Sequence, residues 1–250
     1  MWIAGEHCNH VERSLLDELS DTKGELSEEE TKVWFAKFCR ANFFFTISLL
    51  TGKKLDLHQE LKLRALFLRD FCVNVEGRGV GKSFTICFYI ILYALFNPGS
   101  KIGICSGTFR QSKLIFKQIE KFAEDPAGKF LKQCMSHVKH DPDGWEMRIG
   151  TSTIEALPLT EKIRGKRFHK VIIDEYLLVP QEMVNLVIRP FLTAKRELTP
   201  IEAKIKKMED KLIAEGKLRE NQRQKMPSNS IIGLSSASYK FEDLYKNVYL

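Results

Sequence analysis

Apolar positions along the chain switch between a helical period and short unbroken runs, and the switches mark the elements. The stretch SEEETKVWFAKFCRANFFFTISLL from Ser27 opens like a capped helix, with a hydroxyl, acids in the first turn, then Val33, Trp34, Phe35 and Phe38 at helical spacing. Its aromatic density predicts a packed helix, with a base-stacking surface as the sharper alternative. A second helix is expected over residues 58–68, and FCVNV at 71–75 reads as a short buried strand. The longest apolar run, FTICFYIILYALF at 84–96, falls short of the roughly 20 residues of a membrane span and predicts a buried helix. Then come a strand at 101–105, an amphipathic helix at 109–122 with Leu114, Ile115, Ile119 and Phe122 on one side, and a hairpin of 145–149 and 152–157. A very apolar strand at 171–173, a helix at 180–188 and a last strand at 231–234 follow. Apolar strands alternating with helices imply a mostly parallel sheet covered on both faces.

Two regions lack this patterning. Residues 1–30 are polar and acidic without a clear period, and the start, MWIAGEHCNHVERS, has no signal-peptide pattern. Residues 193–226 are dense in Lys, Arg and Glu; the helical span 200–224 carries only a thin stripe of Ile201, Ile205, Met208, Leu212 and Ile213. It reads as an exposed helical insertion, a solvated charged face first and a DNA or subunit contact second. The 250 residues, 44% apolar, suit one substantial core with a small appendage and exclude two large domains. Six scattered cysteines form no C-x-x-C pair or metal-ligand spacing and read as buried thiols of a reducing cytoplasm. The net charge of +7 tilts the reading toward a polyanionic partner without deciding it.

The chemistry concentrates in VEGRGVGKSF at 75–84. A phosphate loop, G-x-x-x-x-G-K-[ST], aims backbone N–H groups at phosphates from a helix N-terminus, while its lysine reaches the terminal phosphates and its hydroxyl holds magnesium. Gly77, Gly79 and Gly81 permit the turns, Lys82 supplies the charge and Ser83 the hydroxyl, but Glu76 stands where the first glycine belongs. A dinucleotide fingerprint fails, because Lys82 falls on its third glycine. Downstream, KVIIDEYLLVP leads a buried strand to Asp174, placed to hold magnesium through water, and to Glu175, the candidate base for the attacking water.

In this order the motifs resemble the N-terminal packaging ATPase domain of the viral, tailed-bacteriophage terminase large subunit. The resemblance rests on LHQ at 57–59, GRGVGKS with an arginine inside the loop, GICSGTFRQSKLIF at 103–116, IRGKRFHKVIIDE at 163–175 and LSSAS at 234–238. It spans roughly residues 57–241 and implies an α/β fold, a P-loop NTPase of the ASCE, RecA-like type with a mostly parallel central sheet flanked by helices. By that resemblance the nucleotide would be bound by Gln59, against adenine, and by Gly77, Arg78, Gly79, Val80, Gly81, Lys82 and Ser83. Ser83 and Asp174 would take Mg2+, Glu175, Arg78 and Arg164 would be catalytic, and Ser235, Ser236 and Ser238 would couple hydrolysis to movement.

The same resemblance implies ATP and Mg2+ as cofactors, double-stranded DNA as substrate, and a homo-oligomeric ring, five copies in the family pattern, in which Arg164 or Arg78 serves as the arginine finger. Portal protein and a small terminase subunit are the implied partners, the host cytoplasm at the procapsid portal vertex the implied location, and no membrane is involved. The expected organisation is a helical extension at 1–56 and an ATPase core at 57–250 with the charged insertion at about 193–226. The family's nuclease domain is absent before Leu250, so DNA cleavage is not expected. Three competing readings remain open: a DNA or RNA helicase core, a nucleotide-regulated binding module that does not hydrolyse, and a basic DNA-binding protein with a fortuitous loop.

Overall fold

Strand β6 (Lys170–Asp174, KVIID) is buried at every residue and lies inside a seven-stranded sheet of order β1-β7-β6-β2-β5-β4-β3. The computed structural model describes residues 27–69, 71–77, 79–160, 163–193, 197–198, 200–217, 219–220 and 228–236. Five strands, β1 (Phe71–Glu76), β7 (Ser230–Ser236), β6, β2 (Lys101–Ser106) and β5 (Ser152–Ala156), run parallel. The antiparallel strands β4 (Gly144–Ile149) and β3 (Met135–Asp141) extend the sheet, with Gly150 in a left-handed turn at the expected hairpin.

The period of two sorts the strand residues into two cores. Ile172 of β6, Ile102 and Ile104 of β2, and Ile232 and Leu234 of β7 face one cluster; Val171, Ile173, Cys105 and Ile231 face the other. The first is built on α4 (Lys82–Phe96), buried without interruption from Thr85 to Ala94, which explains why its sequence shows no polar face. Helix α5 (Phe109–Glu124) packs beside it through Ile115, Phe116, Ile119 and Phe122; Leu114, expected on that side, is instead exposed. Its neighbour Ile115 takes the inward direction, and one residue further round the helix faces solvent.

The second core is covered by Tyr176, Phe168 and a helical stretch, α7, over residues 181–191, whose middle, Val184–Ile188, winds as a π-helix. Two strand glycines make room for the aromatics. A Cβ on Gly103 would stand 3.1 Å from the Phe168 ring, and one on Gly233 would stand 3.0 Å from Tyr176.

At the N-terminal side the aromatic run forms two helices, α1 (Glu28–Ala41) and α2 (Phe43–Thr51). Buried Asn42 breaks them: its Oδ1 accepts the Phe45 N–H at 2.8 Å and caps α2. The aromatics serve packing, with Phe38 against Trp34 and Phe45, and Phe43 against Phe67 and Phe96. Among the described residues no single helix is long and apolar enough to cross a membrane; α1 and α2 pass only jointly, and they bend by 103°. Helix α3 (Leu57–Leu68) follows, beginning one residue before the sequence reading.

Four further expectations need correction. Strand β1 is the edge of the sheet and only partly buried, because nothing pairs with its outer side among the described residues. Helix α6 (Lys129–Cys134) and strand β3 were not anticipated; β3 is mostly exposed and has no apolar alternation. The charged helix, α8 (Pro200–Ala214), is shorter than the span 200–224. Gly216 at φ +71° closes it, with Lys217 N–H to Leu212 C=O and Gly216 N–H to Ile213 C=O, both at 2.9 Å. The side chains of Ile201 and Ile205 lie outside the description. Finally, Cys39, Cys87 and Cys105 are buried free thiols, as expected, but Cys72 and Cys134 are only half-buried, and Cys8 lies outside the described residues.

Candidate nucleotide site

The carboxyl ends of β1, β7 and β6 bring the chemistry together, where open parallel sheets ordinarily bind ligands. Glu76 is the last residue of β1, paired in register with Ser236 of β7. Its backbone is therefore extended, a conformation that needs no glycine. The left-handed positions fall later, at Gly79 (φ +82°) and Gly81 (φ +83°), where glycine is present. Gly81 precedes α4, whose first intrahelical bond is Thr85 N–H to Gly81 C=O at 2.9 Å. The amide groups before Thr85 point out of the helix end and suit an anion.

Above them Lys82 Nζ donates to Ser236 Oγ at 2.7 Å, and the Ser236 hydroxyl donates to Glu175 Oε1 at 3.2 Å. The Ser236 N–H also faces Glu175 Oε2 at 3.4 Å. Glu175 sits in the left-handed region (φ +51°, ψ +52°), a strained backbone for a side chain of this kind. Next to it Asp174 is 9% exposed, and its Oδ1 accepts the Glu175 N–H at 3.1 Å. Burial pushes its carboxyl above the usual range and the Glu175 charge adds to this, against the Glu175 N–H and the Lys82 charge.

The donor set fits a magnesium nucleotide: a desolvated carboxylate with excess negative charge, an exposed Ser83 hydroxyl and a lysine at a helix N-terminus. Among the described residues no group of three or more His, Cys, Asp or Glu could cage an ion alone. Magnesium in phosphate sites typically relies on one or two carboxylates with water and phosphate.

Strand β7 lies between the loop strand β1 and the acidic strand β6, which is the ASCE arrangement of a P-loop NTPase. Residues 74–202, just over half of the chain, match the family model described as terminase large subunit, T4-like-virus type, N-terminal. The chain belongs to this family. Comparison with curated protein sequences gives no match. Among solved structures, a Thermus phage large terminase ATPase domain is similar with 18% identity and a TM-score of 0.48, covering 82% of this chain and 89% of that one. The HK97 bacteriophage large terminase gives 14% and 0.45, covering 76% of this chain and 36% of that one, so this chain spans little more than a third of it. A large terminase of a thermophilic bacteriophage in complex with ADP gives 14% and 0.43, covering 55% and 36%.

The structure of this terminase chain unites Lys82, Asp174, Glu175 and Ser236 as the sequence suggests. Gln59 is buried beside the loop: its Oε1 accepts the Asp56 N–H at 3.0 Å in a capping box, and its Nε2 lies 3.6 Å from where a Gly81 Cβ would stand. Gly77 and exposed Val80 belong to the loop, and Ser235 is buried on β7 opposite Val75. Arg164 is exposed on the connection before β6 and takes no part in the Lys82–Ser236–Glu175 network. Arg78 and Ser238 lie outside the described residues.

Sequence reasoning missed two groups. Ser106, in register with Asp174, has its hydroxyl 3.0 Å from the Asp174 carbonyl and 2.9 Å from Gln111 Oε1, which the Thr108 hydroxyl also reaches at 2.9 Å. Lys62 is the other: its Nζ lies 2.5 Å from Glu76 Oε1, the two side chains being 15% and 12% exposed. Lys62 stands three positions after Gln59 on the same helix, and that spacing was the available signal.

Proposed function

We propose that this chain is the ATPase motor of a viral DNA-packaging terminase, hydrolysing ATP to move double-stranded DNA into a procapsid. The observation that carries the reading is the Lys82–Ser236–Glu175 network, which joins the phosphate loop, the inserted strand and the acidic strand at one point. Lys82 and the amide groups at the start of α4 neutralise the phosphates of the incoming nucleotide, with Gly77, Gly79, Val80 and Gly81 forming the loop and Gln59 beside it. Ser83 and Asp174 hold Mg2+, which supplies charge neutralisation on the phosphates. A terminal phosphate competes with Ser236 for Lys82 Nζ, so its arrival frees the Ser236 hydroxyl and loosens its hold on Glu175.

Glu175 then orients water for in-line attack on the terminal phosphorus, and the bond to the bridging oxygen breaks to leave ADP and phosphate. Arg78 in the same subunit, or Arg164 from a neighbour in a ring of copies, completes the charge stabilisation. Ser235, Ser236 and Ser238 pass the loss of phosphate to the DNA-holding surface. In this reading residues 1–56 are an extension whose described part, 27–56, is mostly helical, and 57–250 the motor core with its charged insertion at about 193–226. Portal protein and a small terminase subunit are its partners, at the portal vertex in the host cytoplasm.

The test is magnesium-dependent ATP hydrolysis against protein concentration for the unmodified chain, Lys82→Ala and Glu175→Gln. Turnover lost in both variants, and rising per subunit with concentration in the unmodified chain, is the expected result. ATP binding without turnover at any concentration would instead favour the nucleotide-regulated binding module.

A further inference from the structure

Helix α5 carries Arg110, Lys113, Lys117 and Lys121 at intervals of three, four and four residues, which places them along one flank of the helix. None forms an ion pair among the described residues. The two acids of this helix that could answer them are Glu120 and Glu124, and Glu120 is taken by His140 Nε2 at 2.8 Å. Like charges at i,i+4, as in Lys113–Lys117 and Lys117–Lys121, repel and weaken a helix. A row of this kind is at odds with the stability of the free protein and is relieved by an external polyanion.

Two of the cations are also held in place. Lys113 Nζ lies 4.1 Å from the Phe109 ring centroid and 4.9 Å from that of Trp145, and Lys117 Nζ lies 5.3 Å from Trp145. Trp145 is fixed in turn between His140 and Phe116. Ammonium groups held over aromatic rings lose less freedom on binding than free lysines do. The other basic regions differ. Helix α8 interleaves its lysines with Glu202, Glu209 and Asp210, and Lys166 on the loop before β6 is paired with Glu155.

We propose that this flank of α5 is a track for the phosphate backbone of duplex DNA, a proposal that rests on the packaging-motor reading above. The eleven residue steps from Arg110 to Lys121 cover about 16 Å of helix, the axial length of about five phosphates on one DNA strand. Contacts of this type read no sequence, as a motor acting on any DNA requires. The track begins at the nucleotide edge: α5 starts three residues after Ser106, whose register partner is Asp174.

The experiment measures binding of a mixed-sequence 30-base-pair duplex by anisotropy at several salt concentrations, with DNA-free ATP hydrolysis recorded on the same samples. Arg110→Ala, Lys117→Ala and Lys121→Ala together should weaken binding at least tenfold and lower the salt slope by about 2.7, near 0.9 per lost phosphate contact. DNA-free hydrolysis and the urea midpoint should stay as in the unmodified chain. The matching α8 variant, Lys204→Ala, Lys206→Ala and Lys207→Ala, should retain the slope. An unchanged slope in the α5 variant, or no duplex binding by the unmodified chain, overturns the track. Failure of the unmodified chain to hydrolyse ATP strikes the motor reading alone, since the slopes are read without nucleotide.

Discussion

Lys62 Nζ and Glu76 Oε1 stand 2.5 Å apart at the mouth of the phosphate loop, in a contact that ties helix α3 to the end of strand β1. Asn74 Nδ2 donates to Glu76 Oε1, while among the described residues neither Lys62 Nζ nor Glu76 Oε2 has a hydrogen-bond partner, so the Lys62–Glu76 contact is an ion pair alone. The glutamate that spoils the loop motif is thus part of a different device. It anchors the strand to the helix that brings Gln59 to Gly81.

Removing one member of this mostly buried pair strands the other. Lys62→Met should cost roughly 1–3 kcal/mol, between the values for exposed and fully buried pairs. The double variant Lys62→Met, Glu76→Gln should recover most of that loss. Urea midpoints of the four proteins of the cycle decide it, and additive losses would show that the two side chains do not act together.

Asp174 should set a trade between stability and function. Its carboxyl is raised by burial and by Glu175, so ionising it disfavours the fold; the stability present when it is protonated is lost as pH rises from the ordinary carboxylate range through the raised value. Above that window Asp174→Asn should be more stable than the unmodified protein in the absence of nucleotide. It should also lose at least tenfold in magnesium-dependent turnover. Thermal melts from pH 4 to 8 check the first expectation, and hydrolysis against magnesium concentration checks the second.

Ser236→Ala removes the hydroxyl that links Lys82 and Glu175. Because that hydroxyl competes with nucleotide for Lys82, the variant should bind ATP several-fold more tightly while turnover falls. Titration with a fluorescent ATP analogue and single-turnover rates separate the two effects. Weaker binding together with slower turnover would mean that Ser236 contacts the nucleotide directly.

Gly233→Ala places a Cβ 3.0 Å from the Tyr176 ring, one residue beyond Glu175. Overpacking of this kind typically costs about 1–3 kcal/mol. Here the ring must move and carry the Glu175 backbone with it, so kcat should fall more than nucleotide affinity. The neighbouring case Gly103→Ala, against Phe168, should cost similar stability with less effect on kcat.

What the sequence disclosed follows from what its signals encode. Unbroken apolar runs located α4 and β6 because both are buried on every side, and motif spacing found Lys82, Asp174 and Glu175 because each lies in a short local pattern. Strand β3, MSHVKHD, was invisible because backbone pairing to β4 holds it while its side chains face solvent. The Lys82–Ser236 bond spans 154 residues, so only the parallel register of β1 and β7 reveals it. The meaning of Glu76 was hidden for the same reason: its partner lies on α3, and no pattern in VEGRGVGKSF points there.

The two margins of the sheet are not alike. At β3 the register shifts between Ser136 and Lys139, and His137 adopts φ +52°, so the outermost strand is kinked and studded with polar side chains. Irregular edges of this sort resist the addition of another strand. At β1 the pairing with β7 is unbroken over six residues. Among the described residues β1 is therefore the margin that would admit a further strand, laid against the one that ends in the phosphate loop.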